Sequence, residues 1–181
     1  VTLHDGTFHL VVPAKEAMPK PSVNLFFASL AEHLGPNAIG VVLSGTGSDG
    51  AHGIHAIKAA GGFTFAQAPE SAKYTGMPQS AIDTGSVDWV LKPEQIGPEI
   101  ALVVQNRGSI PKATQAANAP ATLKTLLAKV RNRTKVDFSQ YKEPTVWRRI
   151  ERRMAANHVV TLTEYLNLVD HKPVELDHLC K

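Results

Sequence analysis

The stretch Val41-Val42-Leu43-Ser44-Gly45-Thr46-Gly47-Ser48-Asp49-Gly50-Ala51 constrains this chain more than any other, because an apolar run stops at a glycine-punctuated turn and a helix-forming segment follows. A short apolar run suits a strand buried on both faces, as in a parallel sheet. The glycines permit positive φ and close backbone approach in the turn. Corners of this kind, at the carboxyl ends of strands, are where α/β proteins place reactive groups. Asp49 is the carboxylate of this corner, and it sits where the N-terminus of the following helix would favour its anion.

The flanking segments supply the rest of an α/β pattern. Asp5-Gly6 between Leu3-His4 and Thr7-Phe8 is a hairpin signal. Val23, Phe26, Phe27, Leu30 and Leu34 fall on one helical face, with Gly35 as the stop. The sequence further predicts a strand at 38–43, a helix at 51–60 ending on Gly61-Gly62, and a strand at 63–67. A short helix at 77–82 with Pro78 at its first position, a strand at 87–91 and a helix at 98–105 follow. The alternation implies an α/β fold, a partial doubly wound parallel sheet.

Charge divides the chain. Residues 1–105 carry 5 Lys, no Arg and 9 acids, a formal −4, whereas 106–181 carry 14 Lys and Arg against 7 acids, a formal +7. Between the halves, 106–119 is small, polar and flanked by prolines, the composition of a linker. From 120 onward the pattern predicts a small all-α four-helix domain. Leu123, Leu126, Leu127 and Val130 share one face, Thr161-x-x-Glu164 is a capping box, and Pro173 opens a last segment. On the helix after Pro144, Val146, Trp147, Ile150 and Met154 cover roughly 100° of circumference, and Arg148, Arg149, Arg152 and Arg153 roughly 140° on the other side.

The lone cysteine, Cys180, cannot form an internal disulfide, no His/Cys spacing suggests a metal site, and no apolar run is long enough to span a membrane. A cytoplasmic protein is expected, without nucleic-acid binding, because no aromatic platform interleaves with the arginines.

With Ala66-Gln67-Ala68-Pro69-Glu70-Ser71-Ala72, Gly76-Met77-Pro78-Gln79-Ser80-Ala81-Ile82 and Val87-Asp88-Trp89-Val90-Leu91, the corner resembles the C-terminal half of a CheB-type chemotaxis methylesterase, over about 1–105. The segment Thr134–Lys142 followed by Trp147-Arg148-Arg149-Ile150-Glu151-Arg152-Arg153-Met154 resembles the N-terminal helical domain of a CheR-type methyltransferase, over about 120–181. Together they look like an internal piece of a CheB–CheR hybrid.

The resemblance implies a Ser-His-Asp triad in which the position of the aspartate is Asp49, orienting a histidine that activates a serine. In that family the serine and histidine lie upstream of the opening hairpin, so neither is expected in this chain. Thr46 stands where the family often has Met; with Gly47 it is expected at the mouth of the site, its backbone N–H near the oxyanion. Ser44 and Ser48 are expected to bond the turn backbone or cap the helix, and His52 and His55 to lie at the surface or in support.

For the second half, the resemblance implies that Arg149, Arg152 and Arg153 bind the acidic methylation helices of methyl-accepting chemotaxis receptors. Guanidinium forks suit carboxylates. No cofactor is expected to bind this chain itself, and S-adenosylmethionine is expected for a methyltransferase domain beyond it. The implied reactions are hydrolysis of receptor glutamate γ-methyl esters and methylation of the same carboxylates, with the 181 residues alone inactive.

Two other readings remain open in the sequence. Gly45-x-Gly47-x-x-Gly50 also fits a dinucleotide fingerprint, although Asp49 would oppose a pyrophosphate and the next strand ends in Gln67 where a ribose-binding acid is expected. A noncatalytic module that docks receptors through its arginines is the other.

Overall fold

The computed structural model describes residues 1–10, 22–109, 119–138 and 141–180, and of 106–109 and 119 the backbone alone. The chain divides into two compact units, Val1–Gly97 and Pro98–Lys181.

The first unit opens with an antiparallel hairpin of β1 (Thr2–His4) and β2 (Thr7–His9). Asp5 and Gly6 both take positive φ, 48° and 73°, the requirement of the tight turn that matches strand twist. The hairpin is tied to α1 (Ser22–Leu34) where Leu3 N–H donates to Ser29 Oγ at 2.9 Å. A parallel sheet follows, with β3 (Ile39–Val42), β4 (Phe63–Gln67) and β5 (Trp89–Leu91) side by side in chain order. Register pairs Val42 with Ala66 and Phe65 with Trp89.

Between the strands run α2 (Ala51–Ala59) and α3 (Gly76–Asp83). Phe27 and Ala31 of α1, Ile54 and Ile57 of α2, Ala81 of α3 and Val42 of β3 form one buried cluster. Each fully buried aliphatic side chain there contributes roughly 1.5–3 kcal/mol. A second tie is polar: Lys58 Nζ sits 2.6 Å from Asp88 Oδ1, and the other carboxylate oxygen accepts from Thr64 N–H at 3.1 Å and Thr64 Oγ1 at 2.8 Å. Phe65 and Trp89 stack across β4 and β5 with ring centroids 4.6 Å apart.

The α/β architecture follows the sequence pattern, with β3, α2 and α3 within one residue of the expected bounds and larger departures elsewhere. Strand β5 begins at Trp89, two residues later than the pattern suggested. Pro78 is the third residue of α3 and not the first, a position whose N–H has no intrahelical acceptor either. The last helix, α4 (Pro93–Ser109), starts five residues before the predicted Pro98. Pro93 supplies a preset φ at its first position, and Gln95 Oε1 accepts from Lys92 N–H at 3.2 Å, half of a capping box. Pro98 lies inside the helix at the cost of one backbone bond. The first residues of the predicted linker are therefore helical through Ser109, and 110–118 fall outside the described residues.

The second unit takes in α4 from Pro98 onward and contains α5 (Ala119–Thr134), α6 (Glu143–Ala156), α7 (Leu162–His171) and α8 (Glu175–Cys180). Leu126 and Val130 of α5, Ile150 and Met154 of α6, Tyr165 of α7 and Leu179 of α8 build its core with Trp147. Thr161 and Glu164 form the expected capping box at the start of α7. Among the described residues no helix is long and apolar enough to cross a membrane.

Candidate functional site

Asp49 ends the glycine turn after β3, and its carboxylate is aimed at a helix other than the one it precedes. Oδ2 accepts from Val23 N–H at 3.0 Å and Oδ1 from Asn24 N–H at 2.9 Å, so Asp49 caps the start of α1. The expectation that its anion would be held by α2 is corrected: Gly50 is the N-cap of α2 and no side chain of the cap residue bonds there. Gly47 at φ 81° and Gly50 at φ 104° reverse the chain around Asp49, which leaves the carboxylate facing α1. The electrostatic logic survives with a different helix, since the N–H groups of a first turn favour an anion.

The start of α2 is served instead by Asn24, whose Oδ1 accepts from Gly50 N–H at 3.0 Å and Gly53 N–H at 2.9 Å. Sequence reasoning passed over Asn24. Its signal was a lone amide in the first turn of an otherwise apolar helical face. The same bonds weigh against the dinucleotide reading, because these N–H groups are the ones a pyrophosphate would need.

A second segment clamps the turn from the side. Ser44 N–H donates to Gln67 Oε1 at 2.9 Å, while Gln67 Nε2 donates to Ser71 O at 2.9 Å. Tyr74 N–H donates to Ser44 Oγ at 3.0 Å, Gly45 N–H to Tyr74 O at 3.0 Å, and Met77 N–H to Gly45 O at 2.9 Å. Gly76 is pressed against the turn so closely that a Cβ there would lie 2.9 Å from Gly47 O. Ser44 thus bonds backbone. Gln67, which stands where a dinucleotide site would need an acid, is the buried amide that joins the end of β4 to the turn.

Thr46 and Gly47 are exposed at the apex of this clamped turn. Asp49 is half-buried, and among the described residues its hydrogen-bond partners are the two backbone N–H groups of α1. A carboxylate accepts at about four lone-pair positions, so two remain for an incoming N–H donor. His52 is exposed, and His55 Nδ1 lies 3.0 Å from Ser86 Oγ. Among the described residues no group of three or more His, Cys, Asp or Glu could hold a metal ion.

The arginines of α6 do not form one strip. Arg148 is exposed, and Arg149 and Arg152 are half-buried, with Arg149 Nη1 donating to Leu179 O at 3.3 Å. Arg153 departs from the expectation of a solvent-facing, substrate-binding side chain. It is 8% exposed, and its Nε and Nη2 lie 2.5 and 2.8 Å from the two carboxylate oxygens of Glu175. On a helical wheel Arg153 lies at the margin of the apolar stripe, and α8 covers that margin. Tyr165 Oη also donates to Glu175, at 3.1 Å. Burial, then the charge of Glu175, pushes the Tyr165 phenol well above its ordinary pKa, so it stays protonated and donating.

Comparison with known proteins fits both halves. CheB methylesterase, as a family, matches residues 1–100, and the all-alpha domain of CheR methyltransferase matches residues 121–181. An uncharacterized 104.1 kDa protein of Rhodobacter capsulatus is 39% identical over 202 aligned positions, taking in 99% of this chain and 21% of that protein. A protein-glutamate methylesterase/protein-glutamine glutaminase of Anaeromyxobacter dehalogenans is 44% identical over 89 residues, 49% of this chain and 25% of its own length. The chain thus spans 21–25% of the length of these curated relatives. The crystal structure of the Thermotoga maritima CheB methylesterase catalytic domain superposes with a TM-score of 0.50 at 31% identity, covering 55% of this chain and 53% of that one.

Proposed function

We infer that this chain, which belongs to the CheB methylesterase family and continues into a CheR-type all-α domain, serves chemotaxis by adjusting the methylation of receptor glutamates. The observation that carries the reading is Asp49, held by two backbone bonds at the end of a clamped turn with acceptor capacity to spare. Asp49 would accept the N–H of a histidine contributed by sequence outside these 181 residues. It would thereby fix the tautomer and stabilise the imidazolium formed when a serine attacks the ester carbonyl. The exposed backbone of Thr46 and Gly47 would lie at the mouth, with the Thr46 N–H directed to the developing oxyanion. The products are glutamate and methanol, and the hydrolysis restores a negative charge to the receptor.

In the CheR-type half, Arg149 and Arg152, with exposed Arg148 beside them, would engage the acidic methylation helix of a receptor. Arg153 would act from within, by fixing α6 to α8 through Glu175. S-adenosylmethionine supplies the methyl group in the full methyltransferase. The residues present do not fit it: the groove of about 850 Å³ along α5 and α6 has two carboxylates at its rim, and both are engaged. Asp137 pairs with Arg131 at 3.5 Å, and Glu143 accepts from Trp147 Nε1 at 3.2 Å. The reactions would take place in the cytoplasm, where receptor methylation helices are reached.

The test is methanol release from a methylated receptor by the full-length gene product. Asp49→Asn should lower kcat by roughly 10³–10⁴-fold, the cost of a wrong histidine tautomer, and the isolated 181 residues should release none. A variant that keeps the wild-type rate would leave Asp49 as a helix cap. A docking-only role, with Asp49 serving the fold and not the reaction, would then be the better reading.

A further inference from the structure

The segment 73–77 forms one wall of the turn that leads to Asp49, and its exposed side chains, Lys73, Tyr74 and Thr75, have no part in the proposed hydrolysis. Tyr74 is 51% exposed although its backbone is fixed at both ends, by Tyr74 N–H on Ser44 Oγ and by Gly45 N–H on Tyr74 O, each 3.0 Å. The ring is thus presented to solvent from a fixed backbone and is not folded into the core. Gly45 is two residues from Gly47, so the backbone of Tyr74 stands within about 10 Å of the turn apex. Lys73 is exposed, and its ammonium lies 5.3 Å from the centroid of the Tyr74 ring, over its face.

The charge of the surroundings gives that lysine weight. Residues 1–105 carry a formal −4, an unfavourable field for a substrate helix rich in carboxylates. Among the described residues of the first unit, the other lysines are Lys58, whose ammonium rests on Asp88 at 2.6 Å, and Lys92, at the start of α4. Lys73 is therefore the lysine that the fold brings to the wall of the turn.

We propose that Lys73 and Tyr74 form a substrate-recognition subsite, in which the Lys73 ammonium engages a carboxylate flanking the esterified glutamate and the Tyr74 ring supports the aliphatic part of the same helix. The inference rests on the methylesterase reading. Cation and ring restrain each other, which lowers the cost of ordering Lys73 when substrate arrives, and the subsite selects acidic helices over neutral ones.

The experiment measures initial rates of methanol release by the full-length gene product on two synthetic helices. One carries a glutamyl methyl ester flanked by glutamates, and the other the same ester flanked by glutamines. Lys73→Ala should raise KM on the acidic helix about three- to fivefold, the size of one exposed ion pair, with kcat and the neutral helix unaffected. Lys73→Glu should raise it further, and Lys73→Arg should restore it. Tyr74→Ala should raise KM on both helices, and Tyr74→Phe on neither. Equal KM on the acidic helix for wild type, Lys73→Ala and Lys73→Glu overturns the subsite and leaves the role of Asp49 standing. A wild-type enzyme that releases no methanol from either helix overturns the methylesterase reading, and the subsite with it.

Discussion

Asn24 and Asp49 each cap the helix that the other belongs to or precedes: the Asp49 carboxylate accepts from Val23 and Asn24 at the start of α1, and Asn24 Oδ1 accepts from Gly50 and Gly53 at the start of α2. The exchange satisfies four N–H groups that two helix starts would otherwise leave without partners. It also fixes Asp49 relative to the core, because both helices are anchored there by Phe27, Ile54 and Ile57.

Asn24→Ala removes two of those four bonds and should destabilise the protein by about 1–2 kcal/mol, the usual cost of a lost cap. Urea denaturation followed by circular dichroism measures it. In the full-length gene product the same substitution should also reduce ester hydrolysis, since the turn that carries Asp49 keeps only the carboxylate's own two bonds to α1.

Gln67→Ala takes away the amide that joins Ser44 N–H to Ser71 O. The turn would keep its glycines and lose a brace. The expected result is a fall in kcat of about tenfold with KM little changed, the mark of a group that orients without touching substrate. Steady-state methanol release on one receptor substrate resolves the two constants.

Glu175→Gln should be far more damaging than Arg148→Ala. Breaking a buried, forked pair such as Arg153–Glu175 costs about 3–5 kcal/mol, because the guanidinium stays buried without its counter-charge. A substitution at exposed Arg148 should change stability by no more than about 0.5 kcal/mol. Conversely, Arg148→Glu should weaken binding of an acidic receptor helix in a salt-sensitive way. Paired urea melts and binding titrations at two ionic strengths separate these effects.

The capping box of α7 makes a pH prediction. Glu164 is held below its ordinary pKa by the N–H groups of Val160 and then Thr161, which bond its ionised form. A lowered folded-state pKa means that the contribution is present above the unfolded value and is lost as pH falls through the folded one. The difference in melting temperature between wild type and Glu164→Gln should therefore shrink on acidification, and calorimetry across the acidic range tests the sign.

What could be read in advance was local. Asp5-Gly6 announces its hairpin because two adjacent residues meet the whole requirement of the turn, and Thr161-x-x-Glu164 announces a helix start for the same reason. The corner at 41–51 was legible as a strand, a turn and a helix, and it led to the correct α/β class and family.

Features set by distant pairings were hidden. Asn24 and Asp49 are 25 residues apart in sequence, and nothing local shows that each serves the other's helix. Periodicity put Arg153 with its neighbours because a wheel describes one helix, whereas its burial depends on where α8 comes to rest. The early start of α4 turned on Pro93 being a first residue and not a breaker.

The stacked pair Phe65 and Trp89 sets an indole within the parallel sheet. The chain contains two tryptophans, Trp89 in the sheet and Trp147 in the helical core. Each half of the molecule thus carries its own indole fluorophore. With Trp147 changed to Phe, the remaining emission reports the fate of the sheet alone, and with Trp89 changed to Phe it reports that of the bundle, so the cooperativity of the two halves becomes a spectroscopic question.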